Sequence, residues 1–597
     1  MPNTKLQCVT YIAKTMMIMR AWLAASLVVL FVACGSESSR LSHESPNYRQ
    51  ASRQSCLPPK TDGIIGKGTE CRKWVTAATP PPQNLSPANH HFTAHPSTVP
   101  MRDGKVLYGT LYLPNDLSKP GPCVLYAGGY APPAAAGIPA ALNASITLSD
   151  LAQRGYAGAY ISLRGTAPDG EALYYRYRED VYDIIEWMAA QPWCNGNVGM
   201  IGGSLDGITQ WLGSLDIPPS LKAMIPEIAC GDCYWYLWNK GGTFPGNGRK
   251  GRTPPGTAYD EYAAGSEHPN YDAWWQERTS DTAHHQALAA AGVSVMQCGG
   301  WDDYIFAGGM RAVEEIEQAG GNGMQLIGPC AHGGNTPTML PYELDIWRVI
   351  WFDRYLKGVE NGVAGTTDAL FFVEGAELYR FEDEWPILDG RNAKLYFAAK
   401  TSGTVTSLND GSLGAEAPNT GEPHAEYTYS PDDNHNSAGG GTVRPTNDQA
   451  PDEAISLTWT SDPLPDHTEI TGWPKVEFWA SINTPDTDFI FELTEVTHDG
   501  ASHTISRGWL SAARYFNRSN PSPVPKGQIL KYVIELWPMS HVFAAGTRIR
   551  LDLAGSDFPG TRPNVEPGRV QIYQDAKHRS FLTVPVIGTA RLPGERP

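Results

Sequence analysis

Val198-Gly199-Met200-Ile201-Gly202-Gly203-Ser204-Leu205-Asp206-Gly207 runs a short apolar strand into a serine bracketed by glycines and then into a helix. A serine hydroxyl is a weak nucleophile at neutral pH. It gains reactivity on a tight turn, beside a base and near N–H groups that can hold an oxyanion. A strand, a sharp turn and a helix supply that geometry, and a bulky residue at Gly203 or Gly207 is expected to clash with the opposing backbone of the bend. In a chain with 61 glycines the string G-x-S-x-x-G also describes a plain Gly-Ser turn, so the surrounding chain has to decide.

Upstream, Val106 to Leu113 alternates as a strand, and Cys123-Val124-Leu125-Tyr126-Ala127 is an apolar run that stops at Gly128-Gly129-Tyr130. Such a run suits a strand buried on both faces. A helix near Ile146 to Gln153 and a strand from Tyr156 to Ser162 follow, and Val181, Ile184, Ile185 and Met188 then recur at helical spacing before the serine strand. Alternating strands and helices predict a mainly parallel sheet covered by helices, with ligands at the carboxyl ends of the strands. Residues 216–290 break the alternation with Tyr234, Trp235, Tyr236, Trp238, Trp274 and Trp275 among Gly and Pro loops, and read as an inserted, largely helical cap. Alternation returns with Val293 to Met296, ending at Gly299-Gly300-Trp301-Asp302-Asp303, and with Met324 to Ile327, ending at Gly328-Pro329-Cys330-Ala331-His332-Gly333. A serine, an acid and a histidine, each just past a strand and in that order, match the order of α/β-hydrolases.

The formal charge of −17 becomes −20 without residues 1–33, which carry Lys5, Lys14 and Arg20 and no acid. So acidic a surface argues against nucleic acid and against an electrostatic grip on anionic lipid. Ala21 to Ala33 is uncharged, long enough for a signal-peptide core and too short to span a bilayer. Ser- and Pro-rich residues 34–90 read as a flexible tether. Setting aside Cys8 and Cys34 leaves Cys56, Cys71, Cys123, Cys194, Cys230, Cys233, Cys298 and Cys330, whose connectivity the sequence leaves open. Cys230-Gly-Asp-Cys233 has C-x-x-C spacing, but no second pair and no nearby His cluster completes a metal site.

From Arg164 to Trp211, Arg164-Gly165, Asp169-Gly170-Glu171, Trp193-Cys194-Asn195-Gly196-Asn197-Val198-Gly199-Met200 and Gly207-Ile208-Thr209-Gln210-Trp211 resemble cocaine esterase and its relatives. Those relatives are the X-Pro dipeptidyl-peptidases, the α-amino-acid ester hydrolases and the glutaryl acylases. The resemblance takes in Trp274-Trp275-Gln276-Glu277-Arg278, the G-G-W-x-D and G-P-x-x-H motifs, and Trp351 to Gly358. It implies Ser204 as nucleophile, His332 as general base and Asp303 as acid, with Asp302 the competing position. It also implies an oxyanion hole made by the Leu205 N–H and the Tyr130 hydroxyl. A phenol stays a donor at neutral pH and strengthens its bond as charge develops on the carbonyl oxygen. Phe31-Val32-Ala33-Cys34-Gly35 is similar to a bacterial lipobox, which makes Cys34 the lipidation site of an exported, membrane-anchored lipoprotein. A cleaved secretory signal is the alternative, and Met16, Met17 and Met19 are alternative starts.

Tyr304 and Ile305 stand where amino-acid ester hydrolases carry acids that hold a substrate ammonium, and are expected in the substrate pocket. Asp206 could add one negative charge there, or serve as a helix N-terminal acid favoured by the dipole. After residue 365 short β-type runs separated by Gly, Pro, Asn and Asp predict a β-sandwich. Thr484 to Phe489 and Ala545 to Arg550 resemble the jelly-roll domain that closes this family.

The expected architecture is thus an α/β-hydrolase domain over residues 91–215 and 291–365, a helical cap over 216–290 and a jelly-roll sandwich over 366–597. Signal peptide (1–33) and tether (34–90) precede it. The expected activity is cleavage of an ester or amide acyl bond in a small molecule or short peptide, without metal or organic cofactor. X-Pro dipeptidyl-peptidase activity is the nearer alternative, and glycan binding by the sandwich the alternative of another class.

Overall fold

The computed structural model describes residues 63–75, 84–129, 139–164, 176–244, 268–332, 343–363, 368–431, 443–445, 447–558, 560–562, 564 and 566–596. The expected signal peptide, Cys34 and Tyr130 lie outside the described residues. Eleven strands form one sheet: β1 (Lys73–Trp74), β2 (Phe92–Pro100), β3 (Val106–Pro114), β4 (Gly121–Gly128), β5 (Ala157–Ser162), β6 (Cys194–Gly203), β7 (Leu221–Glu227), β8 (Ser294–Gly300), β9 (Gly323–Gly328), β10 (Ala369–Val373) and β11 (Leu378–Glu382). Their spatial order is β1-β11-β10-β9-β8-β7-β6-β4-β5-β3-β2. The stretch from β10 across to β5 is parallel throughout. Antiparallel strands flank it on both sides.

Because successive side chains of a strand point to opposite faces, β4 sends Cys123, Leu125 and Ala127 into one core and Val124 and Tyr126 into the other. The first face is covered by α2 (Tyr177–Ala189), α3 (Leu205–Gly213), α4 (Thr282–Ala291) and α5 (Ala307–Gln318). The second face is covered by α1 (Pro139–Gln153) and α6 (Leu344–Lys357). The parallel strands are therefore covered on both faces, as the apolar runs Cys123–Ala127 of β4 and Val198–Ile201 of β6 require. Disulfides join Cys123 to Cys194 and Cys230 to Cys233, Cys71 is also disulfide-bonded, and Cys298 and Cys330 are buried thiols. No helix among the described residues is long and apolar enough to cross a membrane.

Three sequence boundaries shift. Residues 221–227, expected inside the cap, form β7 in the middle of the sheet, so the insertion begins only after Glu227. Lys222 and Pro226 hide this strand, but neighbours on both sides override its weak propensity. Residues 369–382, expected to open the sandwich, extend the α/β sheet as β10 and β11. Part of the expected tether is structured: β1 pairs with β11, Ile64 N donates to Gly375 O at 2.9 Å, and Trp74 is buried under the Arg380 guanidinium. The ladder with β11, the buried Trp74 and the ion pairs from Arg72 to Glu382 and Asp389 together fix a segment whose composition reads as linker.

Among the described residues thirteen further strands lie between Arg391 and Ile587. Lys475–Ile482 pairs with three neighbours, so this ladder branches and encloses one apolar core as a β-sandwich. A further cluster joins Trp301, Phe306, Met310 and Phe371 of the α/β domain to Trp473, Trp509, Trp537 and Val542 of the sandwich.

Candidate active site

Ser204 sits between β6 and α3 with φ 59° and ψ −124°, a left-handed conformation that a non-glycine residue adopts only under constraint. Its N–H donates to Glu227 O at 3.0 Å, and its carbonyl accepts from Gly207 N and Ile208 N, both at 2.9 Å. Two glycines make the bend feasible. A Cβ on Gly207 would come within 2.7 Å of Ala229 Cβ and Glu227 O, and one on Gly202, whose φ is 150°, within 2.9 Å of Asp206 Cβ. The expectation for Gly203 does not hold, since the nearest atom to a Cβ there is Ile228 Cγ1 at 3.5 Å.

Three strand ends converge here. Ser204 Oγ lies 2.8 Å from His332 Nε2, and His332 Nδ1 lies 2.9 Å from Asp303 Oδ2. Asp303 is fully buried, and its second oxygen accepts the Ile305 N–H at 2.9 Å. The ring nitrogens of His332 thus bridge a partly exposed hydroxyl and a dry carboxylate. Asp302, the competing position, points elsewhere: its carboxylate pairs with Arg444. The Tyr304 ring meets the His332 ring edge-on at 4.8 Å between centroids, and Lys240 lies over its face at 5.8 Å.

Two pocket expectations are corrected. Ile305 is 2% exposed and packs in the core, so it meets the site through its N–H rather than as a pocket wall. Asp206 is also buried, and its carboxylate accepts the Gly129 N–H at 2.7 Å. Its role is to hold the end of β4 against α3, and burial pushes its pKa up to about 7, against the opposing bonds from Gly129 and Tyr126. Leu205 opens α3 at the positive end of its dipole, with its side chain against Gly129.

Glu227 was not singled out by the sequence. It ends β7, its carbonyl holds the Ser204 N–H, and its carboxylate is forked onto Arg348 at 2.7 and 2.6 Å. Nothing in the string Ile225-Pro226-Glu227 signals this, because the partner lies on α6, more than a hundred residues away. Clefts of about 870 Å³, around Arg391 and Arg591, and about 460 Å³, around Lys67 and His467, lie away from Ser204. Among the described residues no group of three or more His, Cys, Asp or Glu side chains is arranged to hold a metal ion.

A parallel sheet with a strained serine after a central strand, hydrogen-bonded to a histidine beyond another parallel strand of the same sheet, defines an α/β-hydrolase of the serine type. Comparison with known proteins narrows the class. Residues 103–254 match the family model of the X-Pro dipeptidyl-peptidases (S15 family), and residues 361–583 match that of the X-Pro dipeptidyl-peptidase C-terminal non-catalytic domain. Cocaine esterase of Rhodococcus sp. (strain MB1 Bresler) is 26% identical over 574 residues, covering 82% of this chain and 97% of that one. A putative Xaa-Pro dipeptidyl-peptidase of Bacillus anthracis is 22% identical over 396 residues, covering 62% of this chain and 61% of its own length. An α-amino acid ester hydrolase superposes with a TM-score of 0.66 at 19% identity, over 86% of this chain and 100% of that one. An aminopeptidase from a Thaumarchaeota archaeon gives 0.66 at 19% over 86% of this chain and 99% of its own, a likeness of fold. The two matched segments together span more than half of the chain, which belongs to the X-Pro dipeptidyl-peptidase (S15) family and is a serine hydrolase.

Proposed function

We propose that the enzyme cleaves an ester or amide through a Ser204–His332–Asp303 triad and an acyl-enzyme, and that it prefers an uncharged acyl group. The observation that carries this is the continuous hydrogen-bonded line from Ser204 Oγ through His332 to Asp303. His332 Nε2 takes the hydroxyl proton as Oγ attacks the substrate carbonyl, while Asp303 holds the imidazole in the tautomer with its proton on Nδ1 and stabilises the imidazolium. The developing oxyanion takes hydrogen bonds from the Leu205 N–H and the Tyr130 hydroxyl. Collapse of the tetrahedral intermediate expels the alcohol or amine, which receives the proton from His332. Water then attacks the acyl-enzyme by the same route in reverse order, with His332 again as base. Every group required is a side chain or a backbone amide.

The preference for an uncharged acyl group rests on the carboxylates around Ser204 among the described residues. Asp206 is turned to Gly129, Glu227 is paired with Arg348 and Asp302 with Arg444. Each of them is engaged within the protein, so none is offered to the free ammonium of an N-terminal dipeptide. X-Pro dipeptidyl-peptidase activity remains the second reading, favoured by the family of the 103–254 match. The residues ahead of the described chain support export, with Cys34 as a lipidated N-terminus; incorporation of labelled palmitate, lost in Cys34→Ala, is the expected result.

Ser204→Ala is expected to abolish turnover of a chromogenic ester and labelling by a fluorophosphonate without unfolding the protein. Retention of a tenth of the activity would remove Ser204 from the role, and a folded protein silent to the probe would favour a glycan-binding module. For the substrate, kcat/KM on a short-chain nitrophenyl ester is expected to exceed that on a glycyl-prolyl anilide. A preference for the anilide, lost on acetylating its amino terminus, would reverse the ranking.

A further inference from the structure

The turn that carries Asp303 is gripped from the sandwich domain. The Asp302 carbonyl accepts the Val443 N–H at 2.9 Å, and the Asp303 carbonyl accepts from Trp537 Nε1 at 3.4 Å. Two consecutive carbonyls of the acid turn therefore take donors from the neighbouring domain. The Asp302 side chain receives Nε of Arg444, whose Nη1 and Nη2 fork onto Glu374 at 2.8 and 2.7 Å. Glu374 follows β10 and also faces His541 of the sandwich at 3.9 Å, and His541 Nε2 reaches Glu495 at 2.8 Å. Arg444 is 9% exposed, and Glu374 is only slightly more open.

Cations and carboxylates alternate along this network, two against three. Arg444 and His541 hold the Glu374 carboxyl far below the usual carboxylate range despite its burial, and the carboxylates of Glu374 and Glu495 lift His541 to about 9, against the opposing burial. A planar guanidinium can satisfy two carboxylates at once along two edges, which an ammonium cannot. One of those carboxylates is the residue before the acid that touches His332.

We propose that Arg444 is a positioning residue for the hydrolase reaction: by fixing Asp302, together with the Val443 and Trp537 donors, it sets the angle at which Asp303 meets His332. The domain whose family name calls it non-catalytic thus takes part in aligning the triad. The physical case is the tolerance of the site. The Asp303–His332 bond is 2.9 Å long, and a displacement on the order of 1 Å can cost about a hundredfold in rate. Trp301 N to Gly328 O at 3.0 Å and Asp303 N to Gly300 O at 3.1 Å anchor the turn on its own sheet. Its outer side, where Asp302 projects, is held by Val443 and Arg444.

The inference rests on the triad reading, and the experiment separates the two. Asp302→Asn and Arg444→Lys are each made in the wild-type chain and in Asp303→Asn. Ester kinetics, the fluorophosphonate labelling rate and the melting curve are then measured. Asp303→Asn alone is expected to lose about 10⁴ in kcat. In the wild-type background Asp302→Asn and Arg444→Lys are expected to lower kcat about tenfold or more with KM unchanged. In the Asp303→Asn background they are expected to change the labelling rate less than twofold, because no productive acid remains to align. A merely structural role would lower both backgrounds by the same factor, and that result overturns the proposal, as does a kcat within twofold of wild type for both variants. Asp302→Asn leaves the Arg444–Glu374 fork in place, so the outcome stands even where Arg444→Lys folds poorly. If Asp303→Asn itself keeps full activity, the triad reading falls and the proposal with it.

Discussion

The Asp206 carboxyl follows Leu205 in α3, accepts the Gly129 N–H and is 2% exposed. Burial raises its pKa from 3.8 to about 7. The folded protein therefore keeps this proton up to about pH 7, whereas the unfolded chain releases it near pH 4, so Asp206 contributes most at low pH and its contribution falls as pH rises through that window. Asp206→Asn keeps an acceptor for Gly129 and removes the titration. Wild type is expected to lose stability relative to Asp206→Asn between pH 4 and pH 8, by at most ~4 kcal/mol, measured by denaturant unfolding of both proteins at each pH. A gap that widens in the opposite direction would show that the carboxylate is the favoured form. Asp206→Ala should be worse at every pH, since it strands a buried N–H at a cost of about 1–3 kcal/mol. From the sequence, Asp206 looked like a pocket charge or a helix-dipole acid because the residue it serves, Gly129, lies 77 positions earlier. The same distance effect hid Glu227, whereas Ser204, Asp303 and His332 each carry a local signature at a strand end.

At the scale of elements, the bend between β6 and α3 depends on which glycines face backbone. Gly207→Ala would set a methyl 2.7 Å from the Glu227 carbonyl that holds Ser204 N–H, so α3 has to shift, and with it the Leu205 N–H proposed to hold the oxyanion. The expected outcome is a kcat loss of about tenfold or more, from a displacement of the order that misaligns reacting groups, together with a lowered melting temperature. Gly203→Ala, with ordinary contacts at 3.5 Å and beyond, is expected to melt close to wild type. Equal melting temperatures for the two variants would mean that the bend relaxes easily. The string G-G-S-L-D-G shows that a tight turn is present, but not which glycine bears it, because that depends on β7 coming alongside. β7 itself was hidden: strand propensity reads Lys222 and Pro226 as interruptions, while its place between β6 and β8 supplies the pairing that compensates. The short apolar runs in β4 and β6 needed no such help, since strand segments buried on both faces announce themselves by composition.

For the whole molecule, the α/β domain and the sandwich share one apolar cluster as well as the Arg444 network. The Arg311 guanidinium lies 4.1 Å from the Trp473 ring centroid, and Trp473 Nε1 donates to Glu314 at 3.0 Å. The boundary expected at residue 366 missed β10 and β11 because Leu370 to Val373 is a short β-type run like those of the sandwich, and sequence cannot tell which sheet such a run will join. Its neighbour β9 decides, by parallel pairing from Ala369 to Phe371. A chain ended at Gly390 would keep all eleven strands of the α/β sheet yet leave Trp301, Phe306 and Met310 without their cover from Trp473, Trp509 and Trp537. Large apolar side chains returned to water cost roughly 1.5–3 kcal/mol each, and Asp302 and Glu374 would lose Arg444 as well. The shortened chain is therefore expected to aggregate or to melt well below the intact enzyme, and the intact enzyme to unfold in one calorimetric transition rather than two. Two separable transitions, with the lower one leaving fluorophosphonate labelling of Ser204 intact, would show that the hydrolase domain stands without its neighbour.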